Sequence, residues 1–131
     1  MSHESDFLVV TQEHLDGFAE ISGDDNPIHV DAEYAATTPF RLPVAHGMFL
    51  FSLVRARVRR HWPDARLVEQ RLMFPAPTPV GARIRVVLEE RPAKPGELAL
   101  ATRVVHEDGT VGLTGECRMW IDPGHRAEEA T

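Results

Sequence analysis

The stretch Gly47-Met48-Phe49-Leu50-Phe51-Ser52-Leu53-Val54-Arg55-Ala56-Arg57-Val58-Arg59-Arg60-His61 decides how the rest of the chain is read. Over residues 48–54 apolar side chains fall on nearly every side of a helical turn, the pattern of a helix enclosed by other structure rather than laid on a surface. The second half carries four arginines, so that end should emerge into water, and Trp62-Pro63 closes the helix. An enclosed helix needs a wrapper, and the sequence that follows offers one. Residues 67–74, 82–90, 98–106 and 111–121 read as four strands, separated by proline and glycine breaks at 75–81 and 92–96 and by Glu107-Asp108-Gly109. Ile84, Val86 and Leu88 alternate with polar neighbours, and Leu98, Leu100 and Thr102 do so more weakly. Alternation of this kind suits antiparallel strands with one face buried and one exposed. The expected architecture is α+β: one domain over residues 1–131, with an antiparallel sheet wrapped around a central apolar helix.

Upstream, residues 7–10 read as a short strand. Thr11 has the character of an N-cap, and Leu15, Phe18, Ala19 and Ser22 share one face at helical spacing. Gly23 is placed to end that helix in the left-handed conformation. Asp31 caps a second short helix through Ala36, and residues 37–43, with two prolines, form a connecting loop. The polar residues 122–131 read as a frayed tail.

Composition narrows the function. The chain has 131 residues, 43% hydrophobic and 26% charged, which is the balance of a globular protein with a real core. No apolar run is long enough to span a bilayer, and the acidic start, Met1-Ser2-His3-Glu4-Ser5-Asp6, lacks the features of a signal peptide. A single cysteine, Cys117, agrees with a reducing compartment and reads as a buried structural thiol; the expected location is cytoplasmic. A net charge of −6 argues against nucleic-acid binding. Arg55, Arg57, Arg59 and Arg60, with Arg41 upstream, are either a solvated helix end or a docking patch for an anionic ligand such as a phosphorylated carrier.

The chemistry concentrates in Ser22-Gly23-Asp24-Asp25-Asn26-Pro27-Ile28-His29. Aspartate and histidine, five positions apart on a chain reversal, are side chains suited to moving protons near neutral pH. Gly23, Asn26 and Pro27 are residues that bend and fix backbone. Gly47, at the expected start of the apolar helix, can offer an unpaired N–H where the helix dipole favours negative charge. No His-x-x-x-His or Cys-x-x-Cys spacing marks a metal site, and no nucleophile elbow or phosphate loop is present.

The octapeptide resembles the hydratase motif of the MaoC-like family, the R-specific enoyl-CoA hydratases: an aromatic residue (Phe18), a gap, then Ser-Gly-Asp-x-Asn-Pro-Leu/Ile-His. The likeness extends to Ala45-His46-Gly47-Met48 and to Phe74-Pro75-Ala76-Pro77 with Gly81, three segments in the family's order. The resemblance implies a hot-dog fold and reversible hydration of trans-2-enoyl thioesters to the (R)-3-hydroxyacyl product, without metal or cofactor. It implies that Asp24 and His29 are the catalytic pair, that Asn26 holds their turn, and that the Gly47 N–H binds the thioester oxygen. His46, Met48, Ser52 (the only serine on the central helix) and Arg55 are candidate substrate contacts. The substrate is an acyl-CoA or acyl-carrier-protein thioester, and the implied assembly is a homodimer, with a heterodimer as the alternative. Three other readings stay open: a carrier-protein dehydratase, a non-catalytic acyl-thioester-binding subunit, and a hot-dog thioesterase. The last is disfavoured because residues 48–60 hold no Asp or Glu.

Overall fold

The computed structural model describes residues 1–121; the expected tail at 122–131 lies outside them. Ten elements follow in chain order: β1 (Ser2–Glu4), β2 (Leu8–Val9), α1 (Gln12–Ser22), α2 (Pro27–Val30), α3 (Ala32–Ala36), α4 (Gly47–His61), β3 (Arg66–Met73), β4 (Arg83–Arg91), β5 (Glu97–His106) and β6 (Val111–Trp120). The strands form one antiparallel sheet in the order β1-β4-β5-β6-β3, with β2 also paired to β4.

Alternation sets which side of the sheet is dry. Leu98, Leu100, Thr102 and Val104 of β5 are buried every second residue, and Leu88 of β4 pairs with Thr102. On this face lies α4, which presents Leu50, Val54 and Val58 at four-residue spacing, each at most 2% exposed. They join Ile84, Leu88, Leu100, Val104, Leu113, Cys117 and Met119 in one core. Burying an aliphatic side chain of this size stabilises by about 1.5–3 kcal/mol, so this stripe rather than helix propensity holds α4 in place. Cys117 is buried in that core, and burial pushes its thiol up, away from the thiolate a nucleophile requires.

One expectation needs correcting. The sheet covers only one side of α4, and Met48, Ser52 and Ala56 on the other side stay exposed, Met48 by 52%. The uniform hydropathy of residues 48–54 therefore does not mean enclosure within a single chain. The acidic start also has structure. Ser2–Glu4 pairs with the edge of β4, His3 opposite Leu88, through backbone hydrogen bonds that no local apolar pattern announces.

Thr11 and Gly23 act as the sequence suggests. The Thr11 hydroxyl accepts from the His14 N–H (3.2 Å) while His14 Nδ1 accepts from the Thr11 N–H (3.0 Å), closing a capping box with histidine in the usual Glu/Gln place. Gly23 adopts φ 79°, and its N–H reaches the Ala19 carbonyl at 2.9 Å. The chain thus leaves α1 abruptly, and the next residue is Asp24.

Candidate active site

Residues 24–29 do not form a simple reversal. Asn26 caps a single helical turn, α2, by accepting from the Ile28 N–H at 3.1 Å, and Pro27 fills the first helical position, where no N–H is needed. The Asn26 N–H in turn approaches Asp24 Oδ1 at 3.4 Å. The turn swings His29 back under Asp24, leaving His29 Nε2 and Asp24 Oδ2 3.9 Å apart. The aspartate side chain is 56% exposed and the histidine 14%.

The tautomer of His29 follows from its partner. Its Nδ1 lies 2.7 Å from the Val44 carbonyl, which can only accept, so Nδ1 carries the hydrogen and, in the neutral ring, Nε2 keeps its lone pair toward Asp24. His46 is ordered the same way: its Nε2–H donates to the Asp24 carbonyl at 2.9 Å. The two imidazoles stack at 3.7 Å with planes 21° apart, and Phe18 closes on His46 at 4.9 Å. His46 is 2% exposed, and its Nδ1 has no protein partner among the described residues.

The donor atoms of Asp24, His29 and His46 all lie within 4.8 Å of one another, a proximity the sequence spacing does not reveal. The stack speaks against a shared ion. A metal must lie near the plane of each imidazole that binds it, and two rings 3.7 Å apart and nearly parallel cannot both satisfy that.

His46 precedes α4 without capping it by its side chain. The first intrahelical bond comes from the Phe49 N–H (3.0 Å to the His46 carbonyl), so the Gly47 and Met48 N–H groups lead out of the helix. A cleft of about 510 Å³ opens here, lined among others by Asp24, His29, His46, Gly47, Phe74 and Thr78. Phe74 stands over Gly47: a Cβ there would lie 2.7 Å from two of its ring carbons. A side chain at position 47 would therefore have to push aside the far end of the half-exposed Phe74 ring.

Of the residues singled out from sequence, Asp24, His29, His46, Gly47 and Met48 meet at this cleft, with Asn26 in the turn behind. Ser52 and Arg55 do not. The Ser52 hydroxyl donates back to the Phe49 carbonyl (2.6 Å) on the open face of α4, and Arg55 points toward Met119 Sδ at 3.8 Å. Both lie one to two turns past the cleft, and the other arginines of α4 lie farther still, Arg59 and Arg60 within its last turn. Sequence reasoning missed Gln12, whose amide donates to the His29 carbonyl (2.9 Å), and Thr78 and Gly112 in the cleft wall. None of the three stands in a pattern that marks it.

Comparison with known proteins gives the family and the fold. The family model described as MaoC like domain matches residues 3–108. The chain belongs to the MaoC-like family. It is 34% identical over 103 residues to the (R)-specific enoyl-CoA hydratase of Aeromonas caviae, covering 76% of this chain and 77% of that one. It is 37% identical over 89 residues to 3-hydroxyacyl-thioester dehydratase Z of Mycobacterium tuberculosis, covering 63% of this chain and 58% of the relative. This MaoC-like chain thus spans little more than half the length of that dehydratase. Among solved structures, the unliganded R-hydratase PhaJ1 from Pseudomonas aeruginosa superimposes with a TM-score of 0.87 at 33% identity, over 92% of this chain and 79% of that one. The sheet with its helix is the hot-dog fold. Among the described residues, no helix is long and apolar enough to cross a membrane.

Proposed function

We propose that this chain hydrates trans-2-enoyl thioesters to (R)-3-hydroxyacyl thioesters and catalyses the reverse dehydration. The observation that carries this reading is the 3.9 Å separation of His29 Nε2 and Asp24 Oδ2 beside the uncapped start of α4. A water between them donates one hydrogen to each. His29 Nε2 removes a proton as the water oxygen attacks the β-carbon, while Asp24 holds the other hydrogen and fixes the direction of attack. The electron pair of the double bond moves onto the thioester oxygen, which the Gly47 N–H and the positive end of α4 stabilise. His29 Nε2–H then returns its proton to the α-carbon, so the elements of water are added and the enzyme is regenerated. The R configuration comes from likeness to the hydratases rather than from any residue argued above.

The acyl group is carried on coenzyme A or on an acyl-carrier protein, and the active form is a homodimer joined along β3. That strand is one edge of the sheet, and Leu67, Val68, Met73 and the following Phe74 are exposed there by 39–67%. An unpaired apolar edge of this length favours pairing with another strand. Sedimentation at a single chain's mass would refute the dimer. Action in the cytoplasm fits the lone buried cysteine.

Loss of enoyl absorbance on mixing purified protein with crotonyl-CoA and longer trans-2-enoyl-CoAs tests the chemistry. Asp24→Asn and His29→Ala should each lower kcat by about 10²–10⁴-fold with an unchanged circular dichroism spectrum. Wild-type rates in either variant would overturn the assignment.

A further inference from the structure

The groups assigned to catalysis hang on a three-residue strip, Pro43-Val44-Ala45, just before His46 and Gly47. On one side the strip meets the motif: the Val44 N–H donates to the Ile28 carbonyl (3.1 Å), and the Val44 carbonyl accepts from His29 Nδ1 (2.7 Å). On its other side it meets the loop between β3 and β4. There the Ala45 N–H donates to the Thr78 carbonyl (2.8 Å), and the Val80 N–H donates to the Pro43 carbonyl (2.9 Å). Thr78 is thus one of the residues that hold the strip in place.

Thr78 is 2% exposed in a loop otherwise rich in proline, and its hydroxyl lies 2.8 Å from Nε2 of His106, at the end of β5. His106 is itself tied into the β5–β6 turn: its N–H donates to the Thr110 carbonyl (2.8 Å) and its carbonyl accepts from the Gly109 N–H (2.9 Å). Partial burial lowers its pKa and favours the neutral ring, so Nε2 and the threonine hydroxyl share one hydrogen between them. The sheet leaves room for this pair at one place. Gly112 of β6 is buried beneath it, and a Cβ there would collide with Thr78 Oγ1 and come within 3.1 Å of His106 Nε2.

We propose that Thr78 and His106 are a positioning pair, seated on Gly112, that pins the strip 43–45 and thereby aims His29 and the first turn of α4 at the substrate. Thr78 borders the cleft but its hydroxyl is engaged by His106, and the pair's effect passes through backbone. This rests on the hydration reading for its kinetic consequence but not for its structural one. A displacement of about 1 Å in a reacting group can cost about 10²-fold in rate, so a small relaxation of the strip is enough to register.

The test compares Thr78→Val, which keeps the shape and removes the hydroxyl, with Thr78→Ser, which keeps the hydroxyl, on crotonyl-CoA. Thr78→Val should lose about 10- to 100-fold in kcat with KM within about threefold, and Thr78→Ser should keep most of the activity. Amide hydrogen exchange of Ala45 and Val80 should accelerate in the valine variant and not in the serine variant. His106→Leu should reproduce the valine effect and His106→Gln should soften it; these stand in for Thr78→Val if that variant does not fold. Wild-type kcat and exchange in both Thr78→Val and His106→Leu would overturn the proposal, as would equal losses in the valine and serine variants. An inactive wild type speaks against hydration alone, and the exchange data still decide whether the pair pins the strip.

Discussion

The two ends of α4 are built on opposite plans. Its C-terminus is fully served. Arg59 and Arg60 occupy the last turn, where cations complement the helix dipole; the Trp62 N–H closes onto the Val58 carbonyl at 2.8 Å; and Trp62 is 9% exposed, with the His3 ring edge-on at 5.1 Å. Its N-terminus is left wanting. No side chain caps it, no acidic residue stands in its first turn, and a cleft opens in front of it. A helix end that stability alone had shaped would carry Ser, Asp or Asn before it, worth about 1 kcal/mol. Here His46 holds that place and spends its Nε2–H on the Asp24 carbonyl instead. The contrast separates the residues that hold the fold from those left available to a ligand, and each end can be perturbed alone.

The largest effect should come from the open end. Gly47→Val places carbon where Phe74 already packs, so the first turn of α4 must shift or the phenyl ring must leave. Losing one donor aimed at an oxyanion typically costs about 10²–10³-fold in kcat. A fall of that size is expected, with thermal stability nearly unchanged. Gly47→Ala alone should lose less, and adding Phe74→Ala should recover part of it, because the collision is with that ring. Unchanged kinetics in Gly47→Val would break the comparison, since the uncapped turn would then have no ligand to serve.

The closed end should respond in the opposite currency. Trp62→Ala removes a buried indole from beneath the last turn, a change that costs about 3–5 kcal/mol where the site cannot collapse. Urea denaturation should show that loss, while kcat per folded molecule stays within about twofold of wild type. A parallel fall in kcat would mean that the two ends are mechanically coupled through α4 and that the division drawn here is too clean.

How much of this was legible beforehand depended on whether the cause was local. Glycine and proline breaks and two-residue alternation placed β3 to β6 within a residue or so, and Thr11, Gly23 and Asp31 set helix ends by chemistry confined to one turn. The cleft was partly legible because Asp24, His29 and Gly47 stand in motifs. Its supports were not. The Thr78–His106 bond joins residues 28 apart, and Gln12 reaches the His29 carbonyl across 17, so no window of sequence contains either. β1 exists because β4 has a free edge, and Ser2-His3-Glu4 alone says nothing of it. The exposed side of α4 misled for a related reason: hydropathy reports that a side chain avoids water, not which structure shields it.

The smallest effect sharpens the comparison by pH. His61 is held below the usual imidazole range, first by burial and then by the neighbouring His3, Arg57 and Arg60, which all disfavour a further positive charge. His3 stands 4.6 Å from it ring to ring and keeps Glu90 for itself at 3.1 Å. In the unfolded chain His61 regains an ordinary pKa near 6.5 and binds its proton more readily than the folded protein does. The stability it contributes is therefore complete above that value and is lost as pH falls through it and toward the lower folded pKa. Because His61 is mostly exposed, solvent screening keeps the effect small. The melting temperature should drop between about pH 7.5 and about pH 5.5, and less in His61→Asn than in wild type. His106, whose pKa is also lowered, contributes to the drop in both proteins, so the difference between them isolates the closed end of α4. Equal drops would mean that the cluster of His3, Arg57 and Arg60 tolerates the extra proton, and that the last turn of the helix owes its stability to Trp62 and not to the state of the histidine beside it.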